Sequence, residues 1–124
     1  MTAVTYNVMV VDELAPDEVD RLFHALADRT RRDIVVRVIE RESSVSELAR
    51  GYDMSFAAVQ KHVAVLERAG LVTKVRRGRE ALVRPDIETI ARGARLLRGY
   101  EDLWRGRVAR MDALLEPPRT EPID

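Results

Sequence analysis

Gln60, Lys61 and His62 stand side by side in the stretch SFAAVQKHVAVLERAG, and Lys74, Arg76, Arg77 and Arg79 crowd a glycine shortly after it. These residue types hydrogen-bond and neutralise charge. The Gln60 amide can meet an adenine edge with two hydrogen bonds, and Lys61 can reach a guanine or a phosphate. Phe56 or Ala57 could touch a thymine methyl. Ser55 and the free backbone amides of a helix start suit a phosphate. Arginines around a glycine tip can lie over a phosphate backbone or enter a minor groove. The chemistry implied is recognition of double-stranded DNA.

Such residues work only if helices and turns present them together. Ser55 caps a helix over 56–69, and Gly70 stops it. Val59, Val63 and Leu66 recur at helical spacing and must face a core, which leaves Phe56, Ala57, Gln60, Lys61 and Ala64 on or near the outer face. A shorter helix over 47–50 precedes it, with Ser46 as cap, Gly51 in a left-handed closing position and 52–54 as the turn. Two strands, 71–75 and 81–84, flank the tight turn Arg77-Gly78-Arg79 and form a two-stranded ribbon that Pro85 ends.

Upstream, Pro16 with Asp17 and Glu18 starts a helix whose apolar face is Val19, Leu22, Phe23 and Leu26. Residues 28–30 break it. Thr30, with Asp33 three positions on, caps the next helix, whose stripe is Ile34, Val35, Val38 and Ile39. A long helix from about residue 86 to 115 closes the order, with Gly93 and Gly99 able to kink or divide it. The fold class is mainly α with a small β-wing: a winged helix–turn–helix with a long C-terminal helix. Residues 1–13 form an arm or short strand, 14–115 the winged domain with flanking helices 14–28 and 86–115, and 116–124 a disordered tail.

The chain has 124 residues, suiting one domain, and no cysteine, so neither disulfides nor thiolate metal sites enter. Its net charge is zero, but residues 1–28 hold six acids against one arginine, whereas 54–84 hold seven bases against Glu67 and Glu80. The positive excess falls on the reader segment, as binding to a polyanion requires. The opening MTAVTYNVMVVDE has neither the positive region nor the long apolar run of a signal peptide or membrane span.

No catalytic arrangement of serine, histidine and acid is present, nor a phosphate-binding or dinucleotide glycine loop, so an enzyme is not expected. The two histidines, His24 and His62, make a poor zinc site without a third ligand. No metal and no cofactor is expected. His62 stands next to the groove-facing residues, where it serves equally well as a phosphate contact or as packing between the two motif helices.

Leu96, Leu97, Tyr100, Leu103, Trp104, Val108 and Met111 form an apolar stripe on the last helix, too broad for a small winged domain to cover alone. With Leu22 on the first helix, it is the expected surface of a homodimer. A two-fold dimer would set two recognition helices about 34 Å apart on one DNA face, so a palindromic operator follows.

The segments FHALADRTRRDIV and VSELARGYDMSFAAVQKHVAVLERAGLVTKVRRGRE closely resemble the ArsR-type winged helix–turn–helix repressors over roughly residues 19–84. The resemblance implies a cytoplasmic homodimer that represses by occupying operator DNA. It places the family's usual base and phosphate contacts on Ser55, Ala57, Ala58, Gln60, Lys61 and His62. Arg29 stands where many members have proline. The metal-sensing cysteines around SELAR are absent, and Glu101, Asp102 and Asp112 have no histidine beside them, so the resemblance is to the branch without thiolate sites. A small-molecule inducer is left open: an apolar cavity between the terminal helices could admit a lipid or an aromatic compound. The rival reading is a winged helix kept as a protein-interaction module, with Phe56 and the last helix as its contact surface.

Overall fold

The computed structural model describes residues 14–116. The arm or strand expected over 1–13 and, but for Glu116, the expected tail lie outside the described residues. Two units divide the chain, one running to Gly93 and one from Ala94.

Helix α1, Pro16–Leu26, begins as its proline and acids require. Glu18 turns back to accept the Ala15 N–H at 2.8 Å. Its inner face buries Leu22 and Ala25. Helix α2, Arg29–Glu40, is capped by Asp28, which accepts the Arg31 N–H at 2.9 Å. The cap expected at Thr30 is therefore displaced by two residues. Ile34, Val35 and Val38 are buried as the spacing predicts, but Ile39 is 51% exposed and leaves the stripe.

A strand that the sequence did not suggest follows. Strand β1, Ser43–Ser44, pairs antiparallel with the returning wing strand, Ser43 opposite Val83 and Ser44 opposite Leu82. Ser44, not Ser46, then caps helix α3, Val45–Arg50: its Oγ accepts the Glu47 N–H at 3.1 Å, and the Glu47 carboxylate accepts the Ser44 N–H at 2.9 Å. This reciprocal pair satisfies two orphan donors at once. Gly51 closes α3 at φ −88° and ψ 2°, outside the expected left-handed region. A Cβ there would meet only the flexible end of the Arg37 side chain.

Helix α4, Phe56–Arg68, is capped by Ser55, whose Oγ accepts the Ala58 N–H at 3.1 Å. Val59, Val63 and Leu66 are fully buried. Gly70, at φ +78°, ends the helix with paired bonds: its N–H reaches the Glu67 carbonyl and that of Leu71 the Leu66 carbonyl, both at 3.0 Å. This is the Schellman closure, which favours glycine.

Strands β2, Val72–Arg77, and β3, Glu80–Pro85, pair from Val72 opposite Pro85 to Arg77 opposite Glu80. Gly78 takes φ +63°, the sense that the first central position of a type II′ hairpin requires. The sheet order is β1-β3-β2, so the wing is a three-stranded sheet with β3 central, not the expected two-stranded ribbon. Leu71, Val72 and Val83 close the core beneath it.

Helix α5, Ile87–Leu115, starts at Asp86, which accepts the Thr89 N–H at 3.2 Å, and both Gly93 and Gly99 lie inside the one helix. Gly93 is buried, and a Cβ there would stand 2.8 Å from Leu22 Cδ2. Mostly helical with a small antiparallel wing and a long last helix, the fold is a winged helix–turn–helix.

Candidate nucleic-acid interface

The outer face of α4 follows from what its inner face must do. Because Val59, Val63 and Leu66 are held in the core, Phe56, Ala57, Gln60 and Lys61 are exposed, with Ser55 exposed at the cap. Ala58 and His62 are half-buried. A hydrogen-bonding amide and an ammonium thus share one face near the positive end of a helix dipole, where a phosphate is favoured. Phe56 is 49% exposed, an aromatic ring that the fold itself does not cover.

On the wing, Arg76, Arg77 and Arg79 are exposed and form no ion pair among the described residues. Lys74 differs. It is half-buried, and its Nζ lies 3.8 Å from Glu67 Oε1 on α4, so its charge is partly balanced within the chain. Arg84 is likewise held, 2.6 Å from Glu42 Oε2. Among the described residues, the wing cations without an ion pair are therefore those around Gly78.

The start of α2 was not singled out from sequence. Its first turn has no acid, although the dipole there favours one. Its arginines instead serve the end of α1. Arg31 Nε donates to the Ala25 carbonyl at 2.7 Å and Nη2 to the His24 carbonyl at 3.1 Å, while Arg32 Nη1 donates to the Leu26 carbonyl at 2.7 Å. Cations at a helix C-terminus satisfy its orphan carbonyls and its negative dipole end. The run of basic residues where acids are favoured was the one sequence signal of this role. Arg31 Nη1 also reaches His62 Nδ1 at 3.3 Å, joining α1 and α2 to α4. Asp28, 3.9 Å from the same ring nitrogen, is held below its ordinary value, chiefly by the Arg31 backbone N–H.

Of the expected dimer surface, Leu97, Tyr100, Leu103, Trp104 and Met111 are exposed, and Leu96 and Val108 are half-buried. Leu22 is not on that surface. It is 2% exposed in the core, where it packs toward Gly93. Among the described residues, no group of three His, Asp or Glu could hold a metal ion, and no helix is long and apolar enough to cross a membrane.

Comparison with known proteins bears on this geometry. A family model described as a helix-turn-helix domain matches residues 26–75, which covers α2, α3, α4 and the first wing residues. The HTH-type transcriptional regulator Rv2034 of Mycobacterium tuberculosis is 49% identical over 53 residues, 43% of this chain and 50% of the relative. The chain thus spans half the length of that regulator. The HTH-type transcriptional regulator YuzN of Bacillus subtilis, itself uncharacterised, is 45% identical over 67 residues, 48% of this chain and 73% of the relative. Among solved structures, an ArsR-like transcriptional regulator from Rhodococcus sp. RHA1 superposes with a TM-score of 0.73 at 31% identity, covering 82% of this chain and 96% of that one.

Proposed function

The chain belongs to the ArsR family of transcriptional regulators, and from that premise we propose that it is a homodimeric repressor occupying a palindromic operator. The observation that carries this is the exposed face of α4, where Gln60 and Lys61 lie behind the Ser55 cap, with three wing arginines that form no ion pair among the described residues. Gln60 reads a base in the major groove. Ser55, Lys61 and the amides of the first turn set register on phosphates, and Arg76, Arg77 and Arg79 supply affinity that does not depend on sequence.

Dimerisation is supported by α5. Trp104 is 59% exposed, and Leu97, Tyr100, Leu103 and Met111 accompany it at spacings that make one stripe on a helix. A second copy offers the same stripe, which is the condition for a two-fold interface. Cytoplasmic action follows from a DNA partner. The rival reading, a protein-interaction module, draws on the same stripe and on exposed Phe56, and it makes a different demand on salt.

The deciding experiment is fluorescence anisotropy at several salt concentrations with DNA from upstream of the protein's own gene and a scrambled control. We expect binding to the upstream DNA that weakens steeply with salt and exceeds the control. Binding to neither DNA at low salt would leave the interaction module as the better reading.

A further inference from the structure

His62 faces two groups of opposite demand across one nitrogen. Its Nδ1 lies 3.3 Å from Arg31 Nη1, which can only donate, and 3.9 Å from Asp28 Oδ2, which can only accept when ionised. A neutral imidazole carries one proton. With Nδ1 accepting from Arg31, that proton must sit on Nε2. Nε2 makes no hydrogen bond among the described residues and is not among their buried unpaired atoms. The ring keeps 23% exposure, so this N–H is a donor open to a partner beyond the chain.

Arg31 is not free to follow the ring. Its Nε and Nη2 are fixed on the Ala25 and His24 carbonyls at the end of α1, and its own N–H is fixed on Asp28. His62 is equally constrained, because the next residue, Val63, is fully buried. The guanidinium is thus a stationary post against which the ring, and the α4 turn that carries it, is oriented.

We propose that Arg31 is a positioning residue for the DNA-reading helix: it holds His62 in the Nε2–H tautomer, a donor to a DNA phosphate oxygen. The inference rests on the DNA-binding reading above. Among the described residues, Asp28 and Arg31 are the charged groups that meet the ring, both at the start of α2.

The test has one readout without DNA and one with it. Nitrogen-15 NMR of the full chain at neutral pH should show His62 as the Nε2–H tautomer, and Arg31→Met should return it to a mixture. Operator affinity should fall about tenfold in Arg31→Met, which frees the ring. His62→Phe, which removes the donor, should weaken operator binding about as much, and the double variant should lose little more than either alone. An Nδ1–H tautomer in wild type overturns the proposal even if Arg31→Met does not fold, and so do losses in the two single variants that simply add. Wild type that shows the Nε2–H tautomer but binds no operator even at low salt overturns the DNA reading instead, and the phosphate role with it.

Discussion

The Arg37 guanidinium lies 4.5 Å from the centre of the Tyr52 ring, and both side chains donate to the same oxygen of Asp33, Arg37 at 2.8 Å. This clasp ties α2 to the turn between α3 and α4. It sets the entry of the reader helix from a distance. The Asp33 carboxyl sits below its ordinary value of 3.8, first because of the Tyr52 hydrogen bond and then that of Arg37. Burial and the same contact push the Tyr52 phenol up.

Tyr52→Phe should destabilise the fold by about 1–2 kcal/mol at neutral pH, because a hydrogen bond to a charged acceptor is lost. The sign of its pH dependence follows from Asp33. A depressed folded value means that the stabilisation is present above the unfolded value and is lost as pH falls through the folded one. Urea denaturation should therefore show the gap between wild type and variant closing below about pH 4. A gap that stays constant into that range would separate the clasp from Asp33 ionisation.

Two glycines of α5 should respond oppositely to alanine. At Gly93 the new Cβ meets Leu22 at 2.8 Å in a packed core, whereas at Gly99 nothing lies within 4 Å. Overpacking should outweigh the helix preference for alanine at Gly93, giving a net loss of about 1–2 kcal/mol. Gly99→Ala should gain about 0.5–1 kcal/mol. Thermal melts of the two variants decide this, and stabilisation by Gly93→Ala would contradict the close packing.

Gln60→Ala should weaken operator binding by about 1–3 kcal/mol and relax one base position. Arg77→Ala should weaken operator and scrambled DNA alike and flatten the salt slope. Parallel anisotropy titrations separate the two roles. Equal losses on both DNAs for Gln60→Ala would remove it as a base reader.

Trp104→Glu places a charge in the middle of the α5 stripe, so a dimer built on that stripe should dissociate. Analytical ultracentrifugation should show monomer at concentrations where wild type is dimeric. Core residues are untouched, so the circular dichroism spectrum should be retained. A variant that still sediments as a dimer would place the interface elsewhere.

The elements that rest on local pattern were legible in the sequence. Val59, Val63 and Leu66, bracketed by Ser55 and Gly70, define α4, and Gly78 among arginines defines the hairpin. What escaped is what distant residues decide. Asp28 and Thr30 are both able caps, and nothing local ranks them. Asp28 wins where Arg31 reaches back to the end of α1. Two serines carry no strand signal, and β1 exists because Val83 and Leu82 lie beside them. Lys74 reads as one more wing cation until Glu67 is found next to it. Leu22 reads equally well as core or dimer face, and Gly93 gives it a place in the core. The exposure of the candidate residues on α4 was therefore legible from spacing, while the partners of Lys74 and His62 were not.

The strand order leaves β2 with an open outer margin among the described residues, since β3 is paired on both sides. An unpaired margin is a template on which another chain can add a strand. Along β2, Lys74, Arg76 and Arg77 make such addition unfavourable, because each incoming copy would bring the same charges. Stripping these cations would therefore do more than loosen the proposed grip on phosphate. It would remove the guard against fibrous self-association, so a wing made neutral should be harder to keep in solution.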